Sequence, residues 1–448
     1  MRRELAEAFD ARALVRAARA LAGAGGLAWL DADGGAGEGR RAYLGAAPVE
    51  VVAVPWGDPA PFRVLRRLVG DPVAAEPALP RWIGWISYDA FWSGNDGRSQ
   101  ATPAPRMARG PLPVLRFARY DALLEVDLAS GCAALHGDDA AALARFEARL
   151  AAPARPSKVW VGEPEVPPAA AHEEAIRRAL AHVREGDIYQ VNLARPWDAR
   201  VEGDPLELFL AMRRASPVPL GAYVDGGDHQ VLSRTMERFL GWEPDAKGRG
   251  PLVSRPIKGT IARGAESDAE GAATLRADPK ERAEHAMIVD LVRNDLARVA
   301  EVGSVRVEAP LSVEPYAKLQ HLVSTVRAMT REGTRLEDVL EATFPPGSVT
   351  GTPKLRALAI IEALEPVPRG PYCGAIGHAS RGGELHLAVA IRTAVVREGS
   401  LRYHAGGGLV AASDAAREVA ETELKARVFL DAVRELAGRE AALPVNEN

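Results

Sequence analysis

The sequence predicts a mixed α/β (α+β) protein organised on mostly antiparallel β-sheet. Three features predict it. Short apolar runs at 27–30, 51–54, 114–117 and 122–126 are separated by glycine- and proline-rich turns. Two later segments, 187–193 and 387–395, alternate apolar and other residues with the period of a strand. Other stretches carry helical spacing, such as Ala175, Ile176, Ala179, Leu180 and Val183, with Gly186 following as a C-cap signal.

Taken in order, residues 1–24 read as one amphipathic helix ending at Gly23, Gly25 and Gly26. The segment 81–89 (RWIGWISYD) is aromatic and glycine-punctuated and reads as core beside a site. Residues 151–171 are rich in proline and alanine and read as a connector. They divide the chain into an N-terminal region (1–150) and a second region (172–435), with a tail at 436–448. In the 187–193 strand, Tyr189, Val191 and Leu193 fall on one face, and Gln190 and Asn192 on the other. In the 387–395 strand, Arg392 stands among Ala388, Ala390 and Ala394. An arginine with that much room suits a bound anion; at a sheet edge it would point into water.

The composition is that of an ordinary globular chain, 47 % hydrophobic and 26 % charged. A net charge of −4 offers no electrostatic footprint for nucleic acid and argues against a basic membrane-binding surface. Cys132 and Cys373 cannot build a disulfide framework and suit a reducing compartment. Glu4, Glu7 and Asp10 interrupt any signal-peptide core, and no apolar run approaches the length of a membrane span. A cytoplasmic protein is expected.

The candidate chemistry centres on Lys258, set between Pro256 and Gly259 in the segment 255–264. Pro256 stiffens the approach, and Gly259 lets the backbone turn or come close to a ligand. A lysine so presented is either a solvated cation or a nucleophile, the latter requiring a neutral amine. Two helices carry glutamates three residues apart, Glu281 with Glu284 and Glu418 with Glu421, so each pair shares a face. If the faces meet, four carboxylates converge, an arrangement suited to a hard cation held partly by water, and Mg²⁺ is the natural choice. The turn 344–354 leads into a helix with Thr352 as N-cap and Pro353 in the first helical position, and Gly406, Gly407 and Gly408 follow a short strand. Both could offer backbone N–H groups to an anion. His321 lies in an apolar setting, as a satisfied core histidine or as an acid, base or donor.

The blocks DIYQVNLAR, PIKGTIARG, KERAEHAMIVDLVRNDL, HLVSTV, GSVTGTPK, YCGAIG, AIRTAVV, GGGLVAASD and ETELKAR, between about 172 and 432, together resemble the chorismate-utilising enzymes. These are anthranilate synthase component I, aminodeoxychorismate synthase component I, and the isochorismate and salicylate synthases. GWISYD, around Tyr88, extends a weaker match toward the N-terminus. The resemblance implies a two-layer sandwich of large antiparallel sheets with helices outside and the site between the layers.

It also implies roles. Glu284 and Glu421 would bind Mg²⁺ directly, with Glu281 and Glu418 close by, often through water. Tyr372, Arg392 and the backbone of Gly406, Gly407 and Gly408 would hold the enolpyruvyl carboxylate of chorismate. Lys425 and Ser348 would be further substrate contacts, with His321 beside the ring. Lys258 would attack C2 as the 4-hydroxyl leaves, with Glu237 as the acid on that oxygen, and ammonia would then add at C4. Members that add water to chorismate carry a lysine where this sequence has Gln190. Lys258 stands where aminodeoxychorismate synthases carry lysine and anthranilate synthases usually carry alanine. The segment 216–220 lacks the N-P-S-P-Y-M of anthranilate synthases, and 28–33 lacks the L-E-S pattern of tryptophan-inhibited relatives, so feedback inhibition is not expected.

The expectation is therefore the aminodeoxychorismate branch, serving p-aminobenzoate and folate synthesis, with anthranilate synthesis as the alternative. A noncatalytic chorismate-binding relative is expected to have lost acidic or lysine positions, and Glu284, Glu421 and Lys258 are all present. Three departures stand out: S-P-E reads Thr235-Met236-Glu237, P-G-G-S reads 345–348 as P-P-G-S, and G-A-P-K reads 351–354 as G-T-P-K. No amidotransferase cysteine motif is visible, so ammonia is expected from a separate glutamine amidotransferase subunit. The short stretch after Arg439 leaves no expectation of a fused lyase domain.

Overall fold

The structure, a computed structural model, describes residues 1–5, 8–33, 40–68, 79–93, 109–154, 157–263, 267–316 and 319–441. Glu7, Gly264, residues 155–156 of the connector and residues 442–448 of the expected tail lie outside the described residues; 436–441 continue the helix Ala415–Ala441.

Two antiparallel sheets form the centre. Among the described residues one has twelve strands and the other ten. Ala28, Ala222, Val224 and Val231 of the larger sheet meet Ile83, Trp85, Ala118 and Ile376 of the smaller one in a shared apolar cluster. The helices Ala11–Ala22, Ala140–Leu150, Pro205–Ala215 and Ala415–Ala441 cover the outer face of the larger sheet. Pro279–Ala297, Leu336–Thr343 and Lys354–Leu364 contribute to the cluster built on the smaller sheet. Burial of Trp29, Trp85, Trp92, Tyr120 and Phe117 anchors these layers, each large side chain contributing roughly 1.5–3 kcal/mol. The sandwich expected from the sequence is the fold observed.

The strand order interleaves the chain. Ala28–Asp31 pairs with Leu220–Asp225, and Pro80–Ile86 pairs with Ala375–Ser380. Residues 1–150 thus supply strands to both sheets. The segment 151–171 contains the strand Val159–Val161, paired with Gln190–Gly203, and the first turn of the helix Ala169–Arg184.

Four local readings are corrected. Residues 1–24 are not one helix: Arg2–Glu4 pairs with Ala133–Gly137, and the helix starts at Ala11, where the Asp10 carboxylate accepts the Ala13 N–H at 2.6 Å. Tyr189 does not share the buried face of Val191; the strand begins at Gln190 and leaves Tyr189 70 % exposed. The 387–395 strand is two strands. Leu385–Val389 belongs to the smaller sheet and Thr393–Arg397 to the larger, and the chain crosses between layers at Arg392, whose φ is +53°. The glycines 406–408 do not follow a strand but lie inside Ser400–Leu409.

Candidate active site

The site forms where edges of the two sheets approach each other. On the smaller sheet, Ile257–Ala262 pairs with Leu319–Met329 through a one-residue irregularity: Lys258 faces Leu322, Thr260 faces His321, and Gly259 is the extra residue, at φ +82°. Only glycine takes that φ without strain. Across the gap lies Ser400–Leu409 of the larger sheet. A Cβ on Gly408 would come within 2.7 Å of Lys258 Nζ and 2.9 Å of Gln190 Nε2. Lys258 therefore points between the layers at bare backbone, beside a Gln190 that is fully buried with both amide atoms unpartnered.

The two glutamate pairs reach the same gap. Asp278 caps the Pro279–Ala297 helix by accepting the Lys280 and Glu281 N–H groups at 2.8 and 3.0 Å, fixing the turn that carries Glu281 and Glu284. Asp414 accepts the Arg417 N–H at 3.0 Å at the start of the helix bearing Glu418 and Glu421. Glu284 Oε2 lies 3.7 Å from Lys258 Nζ, and its Oε1 lies 3.8 Å from Lys280 Nζ. A Cβ on Gly407 would sit 3.2 Å from Glu418 Oε2 and 3.5 Å from Glu421 Oε1, so the bare glycine leaves these carboxylates room. Glu418 accepts Ser413 Oγ at 2.6 Å, while its other oxygen is buried without a partner.

Burial, reinforced by the neighbouring carboxylate, raises Glu281 and Glu418 above the usual carboxylate range. Burial would raise Glu421 as well, but Lys425, whose Nζ is 2.5 Å away, outweighs it and holds the carboxyl low. Among the described residues no three of the four carboxylates lie within 4.8 Å of one another; the donor group that does is His182, Glu185 and Asp187, where Asp187 already accepts Arg356 at 2.7 Å. The four carboxylates therefore line the gap without closing into the single donor cluster expected from the sequence; a cation of the Mg²⁺ kind held there would take most of its shell from water, with the orphaned Glu418 oxygen as an available donor.

Glu237 is buried just before the strand Arg238–Trp242. Burial pushes its carboxyl up to about 7, opposed by hydrogen bonds from the Ser348 hydroxyl and the Ile257 N–H and by the charge of Lys258. A carboxylic acid poised near neutrality beside a lysine can deliver a proton to a leaving oxygen. His321 is buried, and burial pushes it down to about 4, so it is neutral at pH 7. Its Nδ1 lies 2.9 Å from Thr260 Oγ1, and its Nε2 has no partner.

The cationic groups form a third cluster. Lys425 Nζ donates to the Gly406 carbonyl at 2.9 Å, and the Lys425 carbonyl accepts from Arg392 Nη1 and from Tyr403 at 3.3 Å. Arg392 occupies the crossover because the αL step there turns the chain from one sheet to the other. Tyr372 is buried and stacks on His404 at 5.1 Å. Its neighbour Cys373 is close enough to feel the charge of Glu237.

One reading of the site is corrected. Thr352 is not a helix cap: it pairs with Gln190, Pro353 is the residue before the helix, and Lys354 is its first residue. Lys354 Nζ folds back onto Asp295 Oδ2 at 2.6 Å and onto the carbonyls of Thr343 and Pro345, so this helix start is built around a cation. Sequence reasoning also missed Arg369. Its guanidinium pairs with Glu365 and donates to the Val349 and Asn192 carbonyls, both at 2.8 Å, tying the Ser348 turn to the Gln190 strand. The only sequence signal was the i, i+4 spacing of Glu365 and Arg369.

The family model that matches residues 33–431 is described as chorismate binding enzyme. The chain belongs to the chorismate-binding enzyme family. It is 39 % identical over 350 residues to aminodeoxychorismate synthase component 1 of Klebsiella aerogenes, covering 77 % of this chain and 75 % of that protein. It is 44 % identical over 265 residues to anthranilate synthase component 1 of Thermus thermophilus, covering 59 % of this chain and only 56 % of that protein. Among solved structures, anthranilate synthase component I from Streptococcus pneumoniae superposes with a TM-score of 0.74 at 28 % identity, covering 87 % of this chain and 92 % of that one. The menaquinone-specific isochorismate synthase of Escherichia coli shares the fold, with a TM-score of 0.72 at 19 % identity over 97 % of this chain and 94 % of that one. The protein is thus a chorismate-utilising enzyme. Among the described residues, no helix is long and apolar enough to cross a membrane.

Proposed function

We propose that this chain aminates chorismate at C4, as an aminodeoxychorismate synthase component 1 that takes ammonia from a separate glutamine amidotransferase subunit and serves p-aminobenzoate and folate synthesis. The observation that carries this reading is Lys258, aimed from the Gly259 bulge into the gap beside Glu237, Glu284 and Gly408. The similarity to the Klebsiella aerogenes enzyme supports it.

In this reading the Lys258 amine attacks C2. Both ring double bonds shift, C1=C2 to C6=C1 and C5=C6 to C4=C5, and the C4–O bond breaks as Glu237 protonates the departing hydroxyl, which leaves as water. The attacking nitrogen passes its proton back to the Glu237 carboxylate. Ammonia then adds at C4, both double bonds return to their original places, and Lys258 leaves C2 with a proton taken from the new C4 ammonium. The enolpyruvyl ether is untouched. Arg392, Tyr372 and the backbone of Gly406–Gly408 hold the enolpyruvyl carboxylate, with Lys425 and Ser348 as further contacts and His321 beside the ring. Glu284 and Glu421 would hold Mg²⁺, with Glu281 and Glu418 close by; such an ion would supply charge neutralisation and orientation for the ring carboxylate.

The test is to incubate the purified chain with chorismate, Mg²⁺ and ammonium and identify the product by mass. Aminodeoxychorismate is expected; anthranilate with released pyruvate as the main product overturns the reading. Lys258→Ala, assayed with ammonium as the only amine, is expected to lose at least about a hundredfold in kcat. Full activity of that variant removes the covalent step.

A further inference from the structure

Glu418 is 6 % exposed, and its two oxygens are unequally occupied. Oε1 accepts the Ser413 hydroxyl at 2.6 Å, while Oε2 is buried without a partner. The Ser413 oxygen in turn accepts the Val410 N–H at 3.1 Å. An amide N–H can only donate and a carboxylate can only accept, so the serine proton points at Oε1. The serine is itself held in place, because its own N–H donates to the Val410 carbonyl at 2.9 Å, just past the end of Ser400–Leu409. With Oε1 pinned, the direction of Oε2 is set. Oε2 lies 3.2 Å from the point where a Cβ on Gly407 would stand, and Glu421 Oε1 lies 3.5 Å from the same point. Two carboxylate oxygens thus face one small space that a bare glycine keeps open. A buried carboxylate oxygen left without a donor or cation costs free energy, and a bound cation or its water removes that cost.

We propose that Ser413 is a positioning residue: its hydroxyl turns the Glu418 carboxylate so that Oε2 meets a divalent cation of the Mg²⁺ kind, or a water on that cation, in the space beside Gly407. Ser413 touches neither substrate nor cation; it acts through Glu418. Hydrogen bonds of this kind hold a carboxylate in the orientation a metal needs, and losing one lowers metal affinity about ten- to a hundredfold. The inference rests on the proposed Mg²⁺ site. It does not depend on which product the enzyme makes, and it is tested without substrate.

The experiment titrates the substrate-free chain with Mn²⁺, as a paramagnetic substitute for Mg²⁺, and reads free Mn²⁺ by electron paramagnetic resonance, with Mg²⁺ added as competitor. Five forms are compared: the unaltered chain, Ser413→Ala, Ser413→Thr, Glu418→Gln, and Ser413→Ala combined with Glu418→Gln. Ser413→Ala should weaken Mn²⁺ binding about tenfold. Ser413→Thr keeps the hydroxyl and should stay within twofold of the unaltered chain. Glu418→Gln should also weaken binding about tenfold. Adding Ser413→Ala to it should change the affinity by less than twofold, because the hydroxyl no longer has a carboxylate to aim. A purely structural serine would instead lower the affinity equally in both backgrounds. The proposal is overturned if Ser413→Ala binds within twofold of the unaltered chain, if Ser413→Thr is as weak as Ser413→Ala, or if the alanine effect persists undiminished beside Glu418→Gln. An unaltered chain that binds no Mg²⁺-competed Mn²⁺ removes the metal reading and this inference with it, and leaves the amination reading to its own product test.

Discussion

At the scale of single residues, the site is a set of groups moved away from their ordinary behaviour by burial. Glu237 is held as a neutral acid up to about pH 7. If it is the proton donor, the active form is the protonated one, so turnover falls as pH rises through about 7. Glu237→Gln should lower kcat by about a hundredfold and abolish that limb. The measurement is initial rate against pH at constant free ammonia, since ammonium itself deprotonates at higher pH; a limb that survives in the glutamine variant belongs to another group. Gly408→Ala tests the gap from the opposite wall. Its methyl would lie 2.7 Å from Lys258 Nζ, so kcat should drop at least tenfold while the unfolding midpoint barely moves. An unchanged kcat would place the reacting ring elsewhere. The four glutamates stood out in the sequence because each pair shares a helical face, and Lys258 because it stands between Pro256 and Gly259. Gly259 and His321 were each singled out in the sequence, but their meeting through Thr260 was not legible. A bulge depends on which strand lies opposite, and nothing local to 255–264 specifies Leu319–Met329 as that partner.

At the scale of elements, helix starts were read unevenly although caps are local: one helix was expected over 1–24 and a cap at Thr352, and neither is observed. Asp10, Asp139, Asp278 and Asp414 mark helix starts by the side-chain oxygen each offers to N–H groups a few residues on. Asp278→Ala should cost about 1 kcal/mol of stability by denaturant unfolding. It should also raise the Mg²⁺ concentration needed for half-maximal activity, because the capped turn carries Glu281 and Glu284. A loss of stability with unchanged Mg²⁺ dependence would separate the cap from the site. Strand ends misled where tertiary demands won. The alternation at 387–395 is real, but the chain leaves one sheet and enters the other in the middle of it, and no periodicity announces that step. Gly84 shows the packing that sheet pairing requires. A Cβ there would lie 2.0 Å from the Arg116 carbonyl, so Gly84→Ala should destabilise by about 3 kcal/mol or more, read as a lower denaturant midpoint. A change below about 0.5 kcal/mol would mean that the pairing of Pro80–Ile86 with Leu115–Arg119 adjusts freely.

At the scale of the whole molecule, the fold class was legible and the topology was not. Short apolar runs separated by turns announce antiparallel sheet, yet they do not say that Ala28–Asp31 must find Leu220–Asp225 or that Pro80–Ile86 must find Ala375–Ser380. Those pairings join distant parts of the chain, and only the resemblance carried by the motif blocks anticipated the sandwich they build. The site depends on them. Lys258 and His321 come from an edge of the smaller sheet, Gln190 and the glycines 406–408 from the larger, and Arg392 from the crossing between the two.

The interleaved strand order also fixes when the enzyme can begin to work. On the ribosome the early strands emerge long before the segments they pair with, and Glu418 and Glu421 are carried on the most C-terminal helix of the described residues. No part of the nascent chain can assemble the gap ahead of time. Catalytic competence therefore arises in one late step, after a period in which half-built sheets expose unpaired edges, and during that period the chain is most in need of a chaperone.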